Sequence, residues 1–467
     1  EINGFGFENE ATGSSFSEFT AVYGDNAYIC IGAFGFCATH VPDPLYAAVY
    51  YPIYRLIIAN TGGSCVGMSA TSAQFAAGRL NVADFDSSAL FPAGITARGD
   101  ADYAHNSTVD LLTGPARPQS LWSYVRTNHG RQVSSAVWRM SAEQLIDSAQ
   151  DGFMSQQIQV VRASPTAVVL SMKNPDKVFG GHAILPYAVD DTNPAVPKVK
   201  VYDNNQPGAT SPFVDFNLGD DTFKFSGYSK TGGTLFLYPL STWNGAATFP
   251  ADIPGMVGNV IFGESSGAAG AAAGAATPQN TTQALISTPQ GQYGYLPDGT
   301  FVNTLPGAAP IPLFGKDGED VVFSPVLIPA NGITPTITIN ARQDRYFLLS
   351  SANGTSLGLR GSGVTPGDRD TVTLDYAGTA LNGYALTPQR STTALLPQIG
   401  MELGPQQRLL FRFWQLDVAG GSTAQFDALP GEHGVTYANG SPGGSEHFVI
   451  VDAVDGAAEA AGTRIFG

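Results

Sequence analysis

The sequence predicts two domains of different class, an α+β domain followed by an all-β sandwich domain. Three observations carry this. First, a low-complexity bridge, Gly263-Glu-Ser-Ser-Gly-Ala-Ala-Gly-Ala-Ala-Ala-Gly-Ala-Ala-Thr-Pro-Gln-Asn280, divides the chain. Its side chains are too small to build a core, and its repeated glycines oppose a helix, so it reads as a linker. Second, helical patterns precede strand patterns before the bridge, an α+β order. Third, helical patterns nearly vanish after it, and short alternating runs recur between glycine and proline turns. The expected division is a first domain at 1–262, a linker at 263–283 and a β-sandwich at 284–467. A chain of 467 residues is long enough for two domains.

Taken in order, residues 1–50 hold short β-like runs and read as an extra layer or a retained leader. Cys30 and Cys37 lie in Tyr28-Ile-Cys30-Ile-Gly-Ala-Phe-Gly-Phe-Cys37-Ala. That spacing suits a small disulfide-closed loop, and three reduced, buried cysteines are the alternative. The apolar stretch Leu45 to Asn60 contains Pro52 and Arg55 and is too short to span a bilayer. Helices are expected at Ser69 to Leu80, Pro118 to Thr127 and Ser141 to Ser155. The last begins on Ser141 as N-cap, with Glu143 in its first turn. Strands are expected at Ile158 to Val161, Thr166 to Met172, His182 to Val189, Lys198 to Tyr202 and Thr234 to Tyr238. Beyond the bridge, strands are expected at Val321 to Val326, Thr336 to Ile339, Tyr346 to Ser350, Thr371 to Leu374, Leu409 to Leu416 and Glu446 to Val451.

Composition narrows the function classes. The net charge of −16 argues against nucleic-acid binding, which needs basic surface. It argues equally against electrostatic attachment to anionic lipid. Charged residues are only 13%, against about 25% in an average globular protein. A weakly charged surface rich in Ser, Thr, Gly and Asn is common in secreted bacterial proteins. No apolar run is long enough for a membrane span. No signal-peptide pattern precedes Glu1, and a processed, mature form is one reading of that start.

The chemistry centres on Cys65, in Asn60-Thr-Gly-Gly-Ser-Cys65-Val-Gly-Met-Ser-Ala-Thr-Ser-Ala-Gln-Phe75. A glycine-rich turn runs straight into a small-residue helix. That sets a thiol near a helix N-terminus, where free N–H groups and the dipole favour an anion. The alternative is a small buried hydrophobe. Downstream, Gly180-Gly-His182-Ala-Ile-Leu-Pro-Tyr-Ala-Val189 starts one strand, and Lys198-Val-Lys-Val-Tyr-Asp203 ends another. An antiparallel hairpin of these two brings His182 to Asp203. Nucleophile, base and a group that orients the base are the three parts of a Cys-His-Asp system. A core histidine and a strand-end turn are the other readings of the two.

These blocks resemble the papain-like cysteine peptidase superfamily. The closer likeness is to a bacterial extracellular branch with Gly-Gly-Ser-Cys-Tyr-Gly-Met and Gly-His-Ala-Val blocks, over roughly residues 50–240. The resemblance implies a papain-like fold, with Cys65 as nucleophile, His182 as base and Asp203 as orienting acid. Asn204 is a second candidate for the orienting role, since papain uses an asparagine there. Two features depart from the pattern. The Cys-Gly-Ser-Cys-Trp signature is absent. The oxyanion-hole glutamine six residues before the cysteine is replaced by Ala59, with Asn60 following as a candidate donor.

Other residues compete less well. His129 follows a helix candidate and is expected to contact substrate at most, and His105 sits in a Tyr-Ala-His-Asn turn. His433 and His447 each have one neighbouring glutamate but no metal spacing, and read as structural or solvated. Asp368 and Asp370 could help a calcium site but read first as a solvated turn, since a calcium loop needs several further oxygen ligands. No metal and no organic cofactor is implied.

Two functions are therefore expected. One is a secreted, extracellular cysteine peptidase acting on peptide or protein substrates, or a related acyl transferase. Its β-sandwich would bind the cell surface or a self-assembly partner. The other is a structural or adhesive extracellular protein that retains a peptidase-like fold.

Overall fold

A computed structural model describes residues 4–5, 8–9, 14–33, 36–81, 120–175, 180–250, 256–264, 283–315, 325–329, 334–341, 345–362, 364–377, 380–390, 392–404, 407–414, 416–441, 448–455 and 460–466. The fold is rich in sheet, with few helices. The chain divides into two units. The first comprises residues 1–26, 53–248 and 311–324, and the second 27–52, 249–310 and 325–467. His105, His447, most of the Gly/Ala bridge and part of the expected strand Val321 to Val326 lie outside the described residues. No helix among the described residues is long and apolar enough to cross a membrane.

Among the described residues of the first unit, six α-helices precede a six-stranded sheet. Helix α1 (Phe16–Tyr23) starts on a reciprocal cap between Ser15 and Glu18. Glu18 also pairs with Arg126 of α4 (Leu121–Gly130). Helix α2 (Tyr51–Ala59) buries Ile53, Tyr54, Ile57 and Ile58, one face at helical spacing. Helix α3 (Cys65–Ala76) is buried from Cys65 through Phe75. It lies close to α4 because Gly67 has no side chain: a Cβ there would sit 2.0 Å from the Val125 carbonyl oxygen.

Two local expectations are corrected here. Ser141 is not an N-cap. It lies inside α5 (Ser135–Asp147), which Ser134 caps, and its hydroxyl bonds Val137 O and Tyr238 Oη, each at 2.7 Å. Ile158 to Val161 is not a strand but part of α6 (Phe153–Ala163). Gly152, at φ 83°, turns the chain, and the Asp221 carboxylate accepts from Phe153 N (3.1 Å) and Met154 N (2.7 Å). The helix then buries Phe153, Met154, Gln157, Ile158 and Val161 along one face. That burial outweighs the β preference of Ile and Val.

Two strands in the second unit come first in sequence, β1 (Tyr28–Ala33) and β2 (Phe36–Pro42), which form a hairpin. The sheet of the first unit holds β3 (Val168–Lys173), β4 (Gly181–Asp190), β5 (Lys198–Tyr202), β6 (Phe213–Asn217), β7 (Thr222–Phe225) and β8 (Leu235–Pro239). Their order is β7-β6-β5-β4-β3-β8, and every described pairing is antiparallel. Side chains alternate across it as the pleat requires. Leu170, Ile184, Val201 and Leu235 pack with α6, whereas Val169, Ala183, Leu185 and Phe236 pack with α3. Both faces are covered, which is why β3 is a nearly unbroken apolar run.

In the second unit an eight-stranded and a ten-stranded antiparallel sheet share one apolar core. Ile337, Val372, Tyr384 and Phe426 enter it from one sheet, and Leu348, Leu359, Ile399 and Phe413 from the other. The expected segments at Thr336, Tyr346, Thr371 and Leu409 all fall in strands. The expected boundary does not hold. Strand β9 (Met256–Glu264) pairs with Arg345–Ala352 and Val326–Pro329, inside the ten-stranded sheet. The second unit thus begins before the bridge and also takes residues 27–52. The low-complexity segment follows β9 and precedes the strand Gln283–Thr288, so it connects two strands of the second unit rather than two domains.

Candidate active site

The turn Thr61-Gly-Gly-Ser64 delivers Cys65 to the first position of α3. Gly62, at φ 69°, makes the bend. The Ser64 N–H donates to Asn9 Oδ1 at 2.6 Å, and the Ser64 side chain does not cap the helix. The first intrahelical bond runs from Met68 N to Ser64 O (2.9 Å). A helix start of this kind aims the N–H groups of its first residues outward, beside the Cys65 thiol. Cys65 itself is fully buried.

His182 is the second residue of β4, and Asp203 follows the last residue of β5. The β4–β5 register pairs Leu185 with Tyr202, so the hairpin brings the two ends together. His182 Nε2 lies 2.8 Å from Asp203 Oδ1, which also accepts from Asn205 N at 2.9 Å. The Cys65 side chain also favours the charged form of the same imidazole. Gly181 explains part of the glycine pair before the histidine: a Cβ there would meet Met172 O of β3 at 2.0 Å.

Electrostatics favour a charged imidazole. Burial opposes the cation, but the Asp203 hydrogen bond and charge, with a smaller contribution from Cys65, hold His182 well above the ordinary histidine range. For Asp203, burial works against the anion, yet His182 and the Asn205 N–H keep it below the usual carboxylate range. Imidazole and carboxylate form a hydrogen-bonded pair on which the thiol also acts. Such a pair can take a proton from a nucleophile and return it to a leaving group.

The other candidates sort differently. Asn204 does not orient the histidine. Its Nδ2 lies 3.2 Å from Cys65 O, 3.1 Å from Ser69 Oγ and 2.9 Å from Ala183 O, which ties α3 to β4 beneath the site. Asn60 is half-buried at the end of α2, its N–H on the Leu56 carbonyl, and no described contact joins its side chain to Cys65. His129 is buried with uncharged partners, Thr61 Oγ1 and Gln132 Nε2, each 3.0 Å from its Nε2. Burial pushes it down to about 3, so it is a neutral brace behind the turn. Cys30 is disulfide-bonded and Cys65 is free, while the side chain of Cys37 lies outside the described residues. Asp368 is taken by Arg390 and Thr365, and Asp370 by Tyr346 and Gln389.

Sequence reasoning missed two contributors. Asn9 bonds Ser64 and, through its own N–H, Asn204 O at 2.7 Å, linking the nucleophile turn to the aspartate turn. Gly315 brings its carbonyl oxygen to 3.4 Å from His182 Nδ1. Neither carries a local motif, and Gly315 lies 133 residues from the histidine it meets. Comparison with known proteins finds no matching family model, no matching curated protein and no matching solved structure.

Proposed function

We propose that this chain is a papain-like cysteine peptidase, or an acyl transferase using the same residues. The observation that carries the reading is the set itself: a thiol at a helix N-terminus, and an imidazole that it helps to keep charged and that is paired at 2.8 Å with a buried carboxylate. In this reading Cys65 attacks a peptide carbonyl as the thiolate. His182 gives its proton to the leaving amine, then takes one from the water that releases the acyl group. Asp203 holds the imidazole in place and stabilises its charge. The N–H groups at the start of α3 stabilise the oxyanion. A single free thiol beside a disulfide-bonded Cys30 supports an oxidising, extracellular setting. The second unit would serve as a β-sandwich for attachment or partner binding.

Complete burial of Cys65 favours a second reading, a structural extracellular protein whose site is held shut. One experiment separates the two: alkylation of Cys65 by a small iodoacetamide probe across pH, with peptide hydrolysis measured in parallel. A peptidase gives a thiolate-like rate well below pH 8 and hydrolysis that disappears in Cys65→Ala. An ordinary thiol reacts only as pH approaches about 8.5, without hydrolysis.

A further inference from the structure

The segment Ile311–Gly315 belongs to the first unit, and Ile311, Leu313 and Phe314 are fully buried there. Its sequence, Ile-Pro-Leu-Phe-Gly, holds no titratable or nucleophilic side chain. Whatever it does, it does by occupying space and by its backbone.

That backbone is bound at the base. Phe314 forms a parallel bridge with Gly181, the first residue of β4 and the one before His182. The Gly315 N–H donates to Gly181 O at 3.1 Å, and the Phe314 N–H donates to Gln132 Oε1 at 3.0 Å. The Phe314 ring lies in the apolar cluster that holds Cys65, with ring centroids 5.8 Å from Phe236 and 6.2 Å from Tyr238. An aromatic ring buried in this way is a strong anchor. Gly315 also lies against the turn that leads into Cys65: a Cβ there would stand 1.6 Å from Thr61 O. The segment thus runs from the strand that carries His182 to the turn that delivers the thiol.

These are positions that a bound peptide would need. Asp203 takes Nε2 of His182, which leaves Nδ1 to exchange protons with the thiol and a leaving group. The Gly315 carbonyl oxygen lies 3.4 Å from Nδ1. An extended peptide docks on a strand through main-chain bonds, and the Gly181 carbonyl at the start of β4 is already taken.

We propose that Ile311–Gly315 is an inhibitory strap: the chain's own backbone holds the place of an extended peptide at Gly181 and His182, and the site is latent until the strap lifts. This rests on the cysteine-peptidase reading and adds the regulation of that site. It accounts for a thiol that is set at a helix N-terminus and yet fully buried. Phe314 is the latch, because its ring and its N–H are both held within the first unit.

Two measurements on the full chain test the strap. In the wild type, iodoacetamide should reach Cys65 through the same opening that lets the Phe314 and Gly315 amides exchange with deuterium. The slowing of labelling relative to a free thiol should therefore match the protection of those two amides and fall below the protection of the α3 and β4 amides. In Phe314→Ala, labelling and the hydrolysis of a fluorogenic peptide should rise roughly 100-fold, the scale set by losing a buried aromatic side chain. The peptide acetyl-Ile-Pro-Leu-Phe-Gly-amide, added in trans, should reverse that gain, and the same peptide with alanine for phenylalanine should not. The wild-type comparison decides alone if the variant does not fold. Labelling that tracks the α3 and β4 amides, or a folded Phe314→Ala that labels no faster, overturns the strap. Peptide hydrolysis that needs Cys65 then leaves the peptidase reading standing. Labelling that is released in Phe314→Ala and suppressed by the peptide, with no hydrolysis by either chain, supports the strap as a cover over Cys65 and overturns the peptidase reading.

Discussion

Two histidines of the first unit, both buried, are treated in opposite ways. His182 meets a carboxylate and a thiol, and its charged form is favoured despite burial. His129 meets a threonine hydroxyl and a glutamine amide, and burial alone pushes it down to about 3. Burial is common to both, so burial does not make a histidine a base. A fixed negative partner does, because in a low-dielectric site it repays the cost of desolvating the cation. The two also relate to different ends of the turn Thr61–Ser64. His182 faces the thiol at the end of the turn, whereas His129 holds Thr61 at its beginning.

The largest expected effect comes from exchanging the two roles. His182→Gln should lower kcat/KM for a peptide substrate by about 10^2 to 10^4-fold, the range for losing a general acid–base. Asp203→Asn should cost up to roughly 10^4-fold, since the amide cannot hold the same tautomer or stabilise the cation. His129→Gln should leave the pH profile of Cys65 alkylation unchanged. Steady-state kinetics on the three variants check this. A dead His129→Gln beside an active His182→Gln would invert the comparison.

Stability should respond to pH with opposite signs. The folded state holds His182 above the ordinary value of about 6.5, so its contribution is complete below that pH and fades as pH rises through the folded value. His129 is held below it, so its contribution is complete above about 6.5 and is lost as pH falls toward 3. The shift of His129 corresponds to up to ~5 kcal/mol at full protonation. Asp203 adds an acid-side loss as pH falls through its lowered folded value, starting from about 3.8. Urea titrations from pH 4 to 9 should show His129→Gln flattening the acid limb and His182→Gln flattening the alkaline limb. The same limb flattened by both variants would remove the contrast.

The site was legible because its grammar is local. Gly62, Gly63 and a run of small residues announce a turn into a helix. Alternation in Lys198 to Tyr202, and the apolar run after His182, announce two strands with a polar turn between them. A hairpin fixes which ends meet, so the His182–Asp203 contact followed from order alone. What failed depended on distant partners. Ile158 and Val161 look β-like until Asp221 caps α6 and the sheet receives its apolar face. Strand β9 has ordinary strand composition, but nothing local says that it pairs with Arg345–Ala352. The Gly/Ala bridge was read as a domain boundary because small residues cannot form a core, which is equally true of a loop between strands. Gly315 had no signal, since its role is a lack of side chain at one point of close approach.

A smaller effect is expected where the nucleophile turn is braced. Asn9→Ala removes the acceptor for the Ser64 N–H and a 3.1 Å bond to Asn205 Oδ1, with no charge lost. Leaving a buried N–H without a partner costs about 1–3 kcal/mol. The loss should appear in urea midpoints and in a modestly lower kcat, while the pH dependence of alkylation keeps its shape, because Asp203 and His182 are untouched. A shifted pH profile would mean that Asn9 tunes the pair rather than holding its frame.

The smallest effect concerns a histidine with neither burial nor a charged partner. His433 is exposed and closes a short 3-10 turn, Pro430–Glu432, with its N–H on the Pro430 carbonyl at 3.3 Å. Its backbone lies in the left-handed region at φ 53°, which asparagine tolerates better than most residues. His433→Asn therefore keeps the turn and removes the only imidazole of that turn. Stability should change by no more than about 0.5 kcal/mol, the range for surface positions. Cys65 labelling should be identical at every pH. Because His433 lies in the second unit, a change in labelling would show that charge there reaches the site. The contrast between His182 and His129 would then need a long-range contribution in addition to the contacts that now explain it.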